Sequence, residues 1–145
     1  MQGDTVTHAP RSNECAAVSL MLANNETGVI QPLEEVVSIC AKHGCVVHTD
    51  AVQALGKMVI DFQGLGVATM SISAHKIHGP SGVGALVSRH ESSLQPLFYG
   101  GFQQEGARPG TESVGLAAGF AEALTFYLDM NTRIYRDIPA PISCI

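Results

Sequence analysis

Apolar and polar positions along this chain fall into blocks that read as strands and helices taking turns. The run Ala17-Val18-Ser19-Leu20-Met21-Leu22-Ala23 predicts a buried strand, ending at the polar turn Asn24-Asn25-Glu26-Thr27-Gly28. Leu33, Val36, Val37 and Cys40 then recur at three-to-four spacing, which predicts a helix with one apolar face, Pro32 in its first turn and Gly44 as its cap. Cys45 to Thr49 predicts a short strand with Asp50 at its carboxyl end, Thr69 to Ser73 a second that finishes just before Lys76, and Gly82 to Val87 a further one. After a glycine-rich loop from Gly100 to Gly110, Leu116, Phe120, Ala123, Leu124 and Tyr127 form the apolar stripe of a helix over Ser113 to Leu128, with Ser113 as its cap. The stretches up to about Glu14 and beyond about Asp129 lack this periodicity and are expected to be disordered. The whole predicts an α/β fold on a mainly parallel sheet with flanking helices, where strand carboxyl ends carry ligand-binding residues.

Composition narrows the picture. With 46% hydrophobic and 14% charged residues in 145, the chain can bury one core, which a disordered chain could not. Eight basic against thirteen acidic residues, a net charge of -5, supply no basic face for a phosphate backbone, so nucleic acid is not an expected partner. No apolar run approaches the roughly 20 residues that span a bilayer, and Met1-Gln2-Gly3-Asp4 lacks the start of a signal peptide. No membrane association is expected, and the expected compartment is the cytoplasm. The cysteines at 15, 40, 45 and 144 have no disulfide spacing and are expected to be reduced there.

The chemistry concentrates in Ser73-Ala74-His75-Lys76-Ile77-His78-Gly79-Pro80 and in Asp50-Ala51-Val52-Gln53 upstream. Taken singly, Lys76 reads as a solvated charge, Asp50 as a cap, Gln53 as a surface amide, Asn25 as a turn former and the glycines at 79, 82 and 84 as turns. Together, an amine, a carboxylate and small polar groups at strand ends match pyridoxal 5'-phosphate. The amine forms a Schiff base with the aldehyde, polar groups hold the phosphate, and the carboxylate keeps the pyridine nitrogen protonated. A competing reading takes Cys40, His43, Cys45 and His48 as a zinc module. Cys45 and His48 would face opposite sides of one strand, so no metal ligand is assigned.

The segments Leu22-Ala23-Asn24-Asn25-Glu26-Thr27-Gly28, His48-Thr49-Asp50-Ala51-Val52-Gln53, Ser73-Ala74-His75-Lys76 and Arg108-Pro109-Gly110-Thr111-Glu112 occur in that order. Together they resemble the NifS/IscS-type cysteine desulfurases and their selenocysteine lyase relatives, which are class V, fold-type I pyridoxal-phosphate enzymes. The resemblance spans about Ala17 to Leu124 and implies one partial cofactor-binding large domain over 1–145, with divergent tails at 1–14 and 129–145. It implies that Lys76 is the Schiff-base lysine and proton shuttle, that Asp50 pairs with the pyridinium nitrogen, and that Gln53 reaches the phenolic oxygen. Ser73 and His75 would hold phosphate oxygens, with Asn25 near the phenolic oxygen and the substrate carboxylate. Thr111 would touch the phosphate of a neighbouring subunit's cofactor, which implies a homodimer. The implied reaction takes sulfur from L-cysteine, leaves L-alanine, and stores a protein persulfide for delivery to an acceptor protein in iron–sulfur cluster assembly or thiolation. Selenocysteine lyase and other class V aminotransferase activities are the alternatives within the fold.

The chain also departs from that family. Phe102 stands in a loop that usually reads Gly-Gly-Gly-Gln-Glu, and Ser81 stands where a lysine is common. The upstream phosphate-binding turn, the ring-stacking histidine, the sulfur-accepting cysteine and the carboxylate-binding arginine have no counterparts. Cys40 and Cys45 read as core residues and Cys144 is assigned no role. The chain therefore resembles the middle of an enzyme or a truncated product. By itself it is expected neither to bind the cofactor tightly nor to release sulfide.

Overall fold

The structure, a computed structural model, describes residues 16–89 and 94–137, and from position 129 the backbone alone. Four strands form one sheet in the order β1 (Ala17–Met21), β2 (Val46–Asp50), β3 (Thr69–Ser73) and β4 (Gly84–Ser88). The first three are parallel and β4 runs antiparallel to β3. The reversal follows from the connection: residues 74–83 form a 3-10 turn (Ala74–Ile77) and a glycine turn, too short for the crossover a parallel return requires. The helices α1 (Leu33–Lys42), α2 (Phe62–Leu65) and α3 (Val114–Asp137), and a second 3-10 turn at Gln103–Gly106, complete the described elements.

The two faces of the sheet differ. Val47, Thr49 and Met70 point into a core shared with Leu22, Leu33 and Cys40, so the apolar stripe of α1 lies against this side. Thr49 is fully buried there and its hydroxyl donates to the Leu20 carbonyl at 2.9 Å, which meets the cost of burying a polar group. A second cluster joins Ala74 and Ile77 of the first 3-10 turn to Phe120 of α3. The opposite face carries Val46, His48 and Asp50 of β2, in register with Ala17, Ser19 and Met21 on one side. On the other side His48 and Asp50 meet Thr69 and Ser71. These residues are half-buried or exposed among the described residues.

Most elements lie within a residue or two of where periodicity put them. β1 stops at Met21, short of Ala23, because Asn24 turns the chain. The exception is α3, which runs to Asp137 rather than stopping at Leu128. Each further residue adds one hydrogen bond to a helix already started, so the backbone continues past the stripe on which that boundary rested. Residues 129–137 are therefore helical, not disordered. The remaining parts of both tails lie outside the described residues.

Arg89, just past β4, ties the short α2 to the sheet. Its Nε donates to the Val67 carbonyl at 2.8 Å, and its Nη2 to the carbonyls of Gln63 at 2.8 Å and Phe62 at 3.3 Å. Nη1 reaches Gln63 Oε1 at 3.0 Å, and the guanidinium lies 5.5 Å from the Phe62 ring centroid. Arg89→Ala is expected to lower stability by about 2–3 kcal/mol, since hydrogen bonds from a charged donor contribute roughly 1.5–3 kcal/mol and this one is half-buried. Arg89→Lys should recover only a fraction, because one ammonium cannot reproduce the planar fork. Urea unfolding of the three proteins measures both effects.

Candidate active site

Three adjacent parallel strands end together, with Met21, Asp50 and Ser71 in register across the sheet. Six of the seven site residues read from the sequence lie at or just beyond those carboxyl ends. Asn25 follows β1, Asp50 closes β2 with Gln53 after it, and Ser73 closes β3 with His75 and Lys76 on the turn beyond. Beyond Asp50 and Ser71 a single backbone bond, from Ala51 N–H to the Ser71 carbonyl at 3.0 Å, continues the pairing of β2 with β3. Open α/β sheets place ligand-binding residues at this edge.

Lys76 sits at the third position of the Ala74–Ile77 turn, exposed, while Ala74 and Ile77 on either side are buried. Those two residues anchor the turn in the second core cluster and leave His75 and Lys76 facing outward. The chain leaves the turn through His78 at φ 59, a left-handed conformation rare outside glycine, asparagine and aspartate, and the His78 ring stacks on Tyr127 with centroids 5.9 Å apart. Gly79 is required by packing: a Cβ there would lie 3.0 Å from the Ala74 carbonyl oxygen and 3.1 Å from Ala123 Cβ. Gly84 likewise faces the Ile72 carbonyl, 2.8 Å from where its Cβ would be. Gly79 thus serves the close approach of the Lys76 turn to α3, and Gly84 that of β4 to β3.

The polar groups are partly engaged with one another. Ser73 Oγ and His75 Nδ1 are 2.7 Å apart, so the two residues expected at a phosphate are already paired. Asp50 Oδ1 accepts from the Val52 N–H at 2.8 Å, which orients the carboxylate and leaves Oδ2 to accept from another donor. Gln53 Oε1 accepts from Lys57 Nζ at 3.1 Å, leaving its amide N–H groups available. Lys76 Nζ has no hydrogen-bond or ion-pair partner among the described residues. An amine, a carboxylate, an amide and a hydroxyl–imidazole pair are groups whose chemistry fits the aldehyde, ring nitrogen, phenolic oxygen and phosphate of pyridoxal phosphate.

Asn24, not Asn25, builds the turn after β1. Its Oδ1 accepts from the N–H groups of Glu26 and Thr27, both at 2.9 Å, and from the Thr27 hydroxyl at 3.1 Å. Asn25 is exposed, with its side chain unengaged among the described residues. The signal for this division was local: an asparagine at the first turn position, three residues before a threonine, is an Asx turn. Thr111, the seventh residue, is exposed in the loop ahead of α3. In the same loop Phe102 has φ -88, so this position does not need glycine's freedom; the left-handed residues are Gln104, Glu105 and Gly106. A cavity of about 430 Å³ lies elsewhere, between the start of α1 and residues 58–65, and no candidate site residue lines it. Cys40 and Cys45 are buried in the core beside α1, and no three His, Cys, Asp or Glu side chains converge as a metal site among the described residues.

Known proteins resemble this chain in sequence and in fold. The sequence model of the family described as Aminotransferase class-V matches residues 5–137. A mitochondrial cysteine desulfurase of Arabidopsis thaliana is 50% identical over 108 residues, 73% of this chain and 24% of that protein. A cysteine desulfurase of Cereibacter sphaeroides is 48% identical over 132 residues, 89% of this chain and 34% of that protein. The structure of a NifS-like protein from Rickettsia africae superposes with a TM-score of 0.75 at 38% identity, over 79% of this chain and 32% of that one. The chain thus spans about a quarter to a third of the length of the curated relatives it matches.

Proposed function

The chain belongs to the aminotransferase class-V family, and from that premise we propose that it forms the cofactor-anchoring part of a pyridoxal-phosphate-dependent cysteine desulfurase. One observation carries the proposal: the Lys76 amine, without a partner among the described residues, stands on a turn anchored in the core, beyond the same strand ends as Asp50 and the Ser73–His75 pair. Pyridoxal phosphate, when bound, supplies an aldehyde for an amine and a ring that accepts electrons.

Each residue then has a task. Asp50 Oδ2 would accept a hydrogen bond from the protonated ring nitrogen, while Val52 N–H keeps Oδ1 in place. Gln53 would donate its amide to the phenolic oxygen, Ser73 and His75 would hold the phosphate, and Asn25 would serve the phenolic oxygen and the substrate carboxylate. Lys76 Nζ would form the link to the aldehyde and would carry a proton to and from the substrate carbons. The overall change is balanced without an external oxidant or reductant. The carbon–sulfur bond of L-cysteine breaks, the sulfur forms a sulfur–sulfur bond with an acceptor thiol, and carbon receives the proton to give L-alanine. Cys40 and Cys45 are buried, so the acceptor is another cysteine.

A second copy of the chain is part of the proposal, with Thr111 reaching the partner's cofactor phosphate. Leu97, Tyr99 and Phe102, in and just before that loop, are 88, 90 and 93% exposed, apolar surface that a subunit contact would cover. No described helix is long and apolar enough to cross a membrane, and the proposed compartment is the cytoplasm. The test is to add L-cysteine and a thiol to the cofactor-loaded whole protein. Alanine and sulfide released in equal amounts, with many turnovers, are expected. Alanine formed only from selenocysteine would make the protein a selenocysteine lyase, and transfer of the amino group to a keto acid would make it an aminotransferase.

A further inference from the structure

The seam between β2 and β3 is the shortest in the sheet. It has three registered pairs, His48↔Thr69, Thr49↔Met70 and Asp50↔Ser71, whereas β1 with β2 and β3 with β4 each have five. This short seam separates the strand that ends in Asp50 from the strand that leads to the Lys76 turn, so any play in it changes the distance between the carboxylate and the amine. Main-chain pairing here is also flanked by only two further bonds, Ala68 N–H to the Val47 carbonyl at 2.8 Å and Ala51 N–H to the Ser71 carbonyl at 3.0 Å.

A side-chain brace crosses it. The His48 ring lies half-buried on the face that carries Asp50, with Nδ1 2.8 Å from Thr69 Oγ1 and Nε2 3.2 Å from Ser71 Oγ. Both ring nitrogens are engaged, and both partners are on β3, one opposite His48 and one opposite Asp50. A hydroxyl both donates and accepts, so this bridge is satisfied whichever nitrogen carries the proton. From Ser71 the chain runs through Ile72 to Ser73 and on to Lys76.

We propose that His48 is a positioning residue: by gripping Thr69 and Ser71 it holds the end of β3, and with it Ser73 and Lys76, at a set distance from Asp50. The proposal rests on the cofactor reading above for the purpose of that distance, but the brace itself is a property of this chain. His48 touches neither cofactor nor substrate in this role. It acts through the strand it holds.

Two measurements test it, using His48→Phe, Thr69→Val, which is isosteric but lacks the hydroxyl, and Thr69→Ser, which keeps it. The first is hydrogen exchange of the unliganded chain. His48→Phe and Thr69→Val are expected to speed exchange at the Ala51 and Ala68 amides about tenfold, with Leu22 N–H, bonded to Asp50 across the other seam, unchanged. Thr69→Ser should behave as wild type. Unchanged exchange at Ala51 and Ala68 in both disrupting variants would overturn the brace. The second is titration of the whole protein with pyridoxal phosphate, read by its absorbance. The disrupting variants are expected to bind about tenfold more weakly and with a shifted band, a signature that loss of global stability alone does not produce. Opening of the seam with wild-type affinity and band would overturn the positioning role. Should wild type itself take up no cofactor, the proposed function falls and the positioning role with it, whatever the exchange experiment shows of the brace.

Discussion

Lys76→Ala in the whole protein is expected to abolish desulfuration, by roughly 10³-fold or more, while leaving the fold intact. The side chain is exposed and has no described partner, so its removal breaks no packing; Ala74 and Ile77 hold the turn in place without it. What is lost is chemistry. The amine forms the covalent link to the cofactor, and a positioned proton carrier alone contributes about 10²–10⁴-fold. Borohydride reduction of the loaded wild-type protein followed by peptide mapping locates the link independently of activity. A label on Lys42 or Lys57 instead would overturn the assignment. An unchanged melting temperature in Lys76→Ala separates loss of chemistry from loss of fold.

Asp50→Ala is expected to lower turnover far more than cofactor content. The carboxylate is exposed at the end of β2, so truncating it costs little stability beyond the bond to Val52 N–H. Its proposed partner is one ring atom, and a hydrogen bond to a charged group contributes about 1.5–3 kcal/mol, roughly ten- to hundredfold in affinity or rate. Most of this should emerge in turnover, because a protonated ring nitrogen matters most when the ring is accepting electrons. Asp50→Asn, which keeps the size and loses the charge, should resemble alanine. Cofactor content and turnover measured on the same preparations decide the matter, and wild-type turnover in Asp50→Ala would rule out the pyridinium role.

Much of the candidate site was legible because strand ends are marked locally. The run from Cys45 to Thr49 changes from apolar to acidic at Asp50, and Thr69 to Ser73 is followed by Ala74 and the polar His75 and Lys76, so the chain itself marks where each strand stops. The strong apolar face of α1 and the small, buried Cys40 and Cys45 were legible for the same reason: burial selects residue types position by position. Other features depend on partners far away in the sequence. His48 reads locally as one more polar residue on a strand, and only the pairing with β3 gives it Thr69 and Ser71. Arg89 reads as a surface charge, and its carbonyl partners lie on α2 and the loop after it.

The sequence by itself determined the alternation of strands and helices, the identity of the lysine and carboxylate, and their placement at strand ends, since periodicity and residue chemistry are carried within a few consecutive positions. Tertiary structure alone decided the rest. It set the register that brings Asp50 level with Ser71 and the left-handed exit at His78 against Tyr127, and it set the grip of His48 on β3. The physical reason is that a hydrogen bond or a ring contact needs two groups within about 3–6 Å, and whether residues apart in the chain come that close is a property of the packed sheet as a whole.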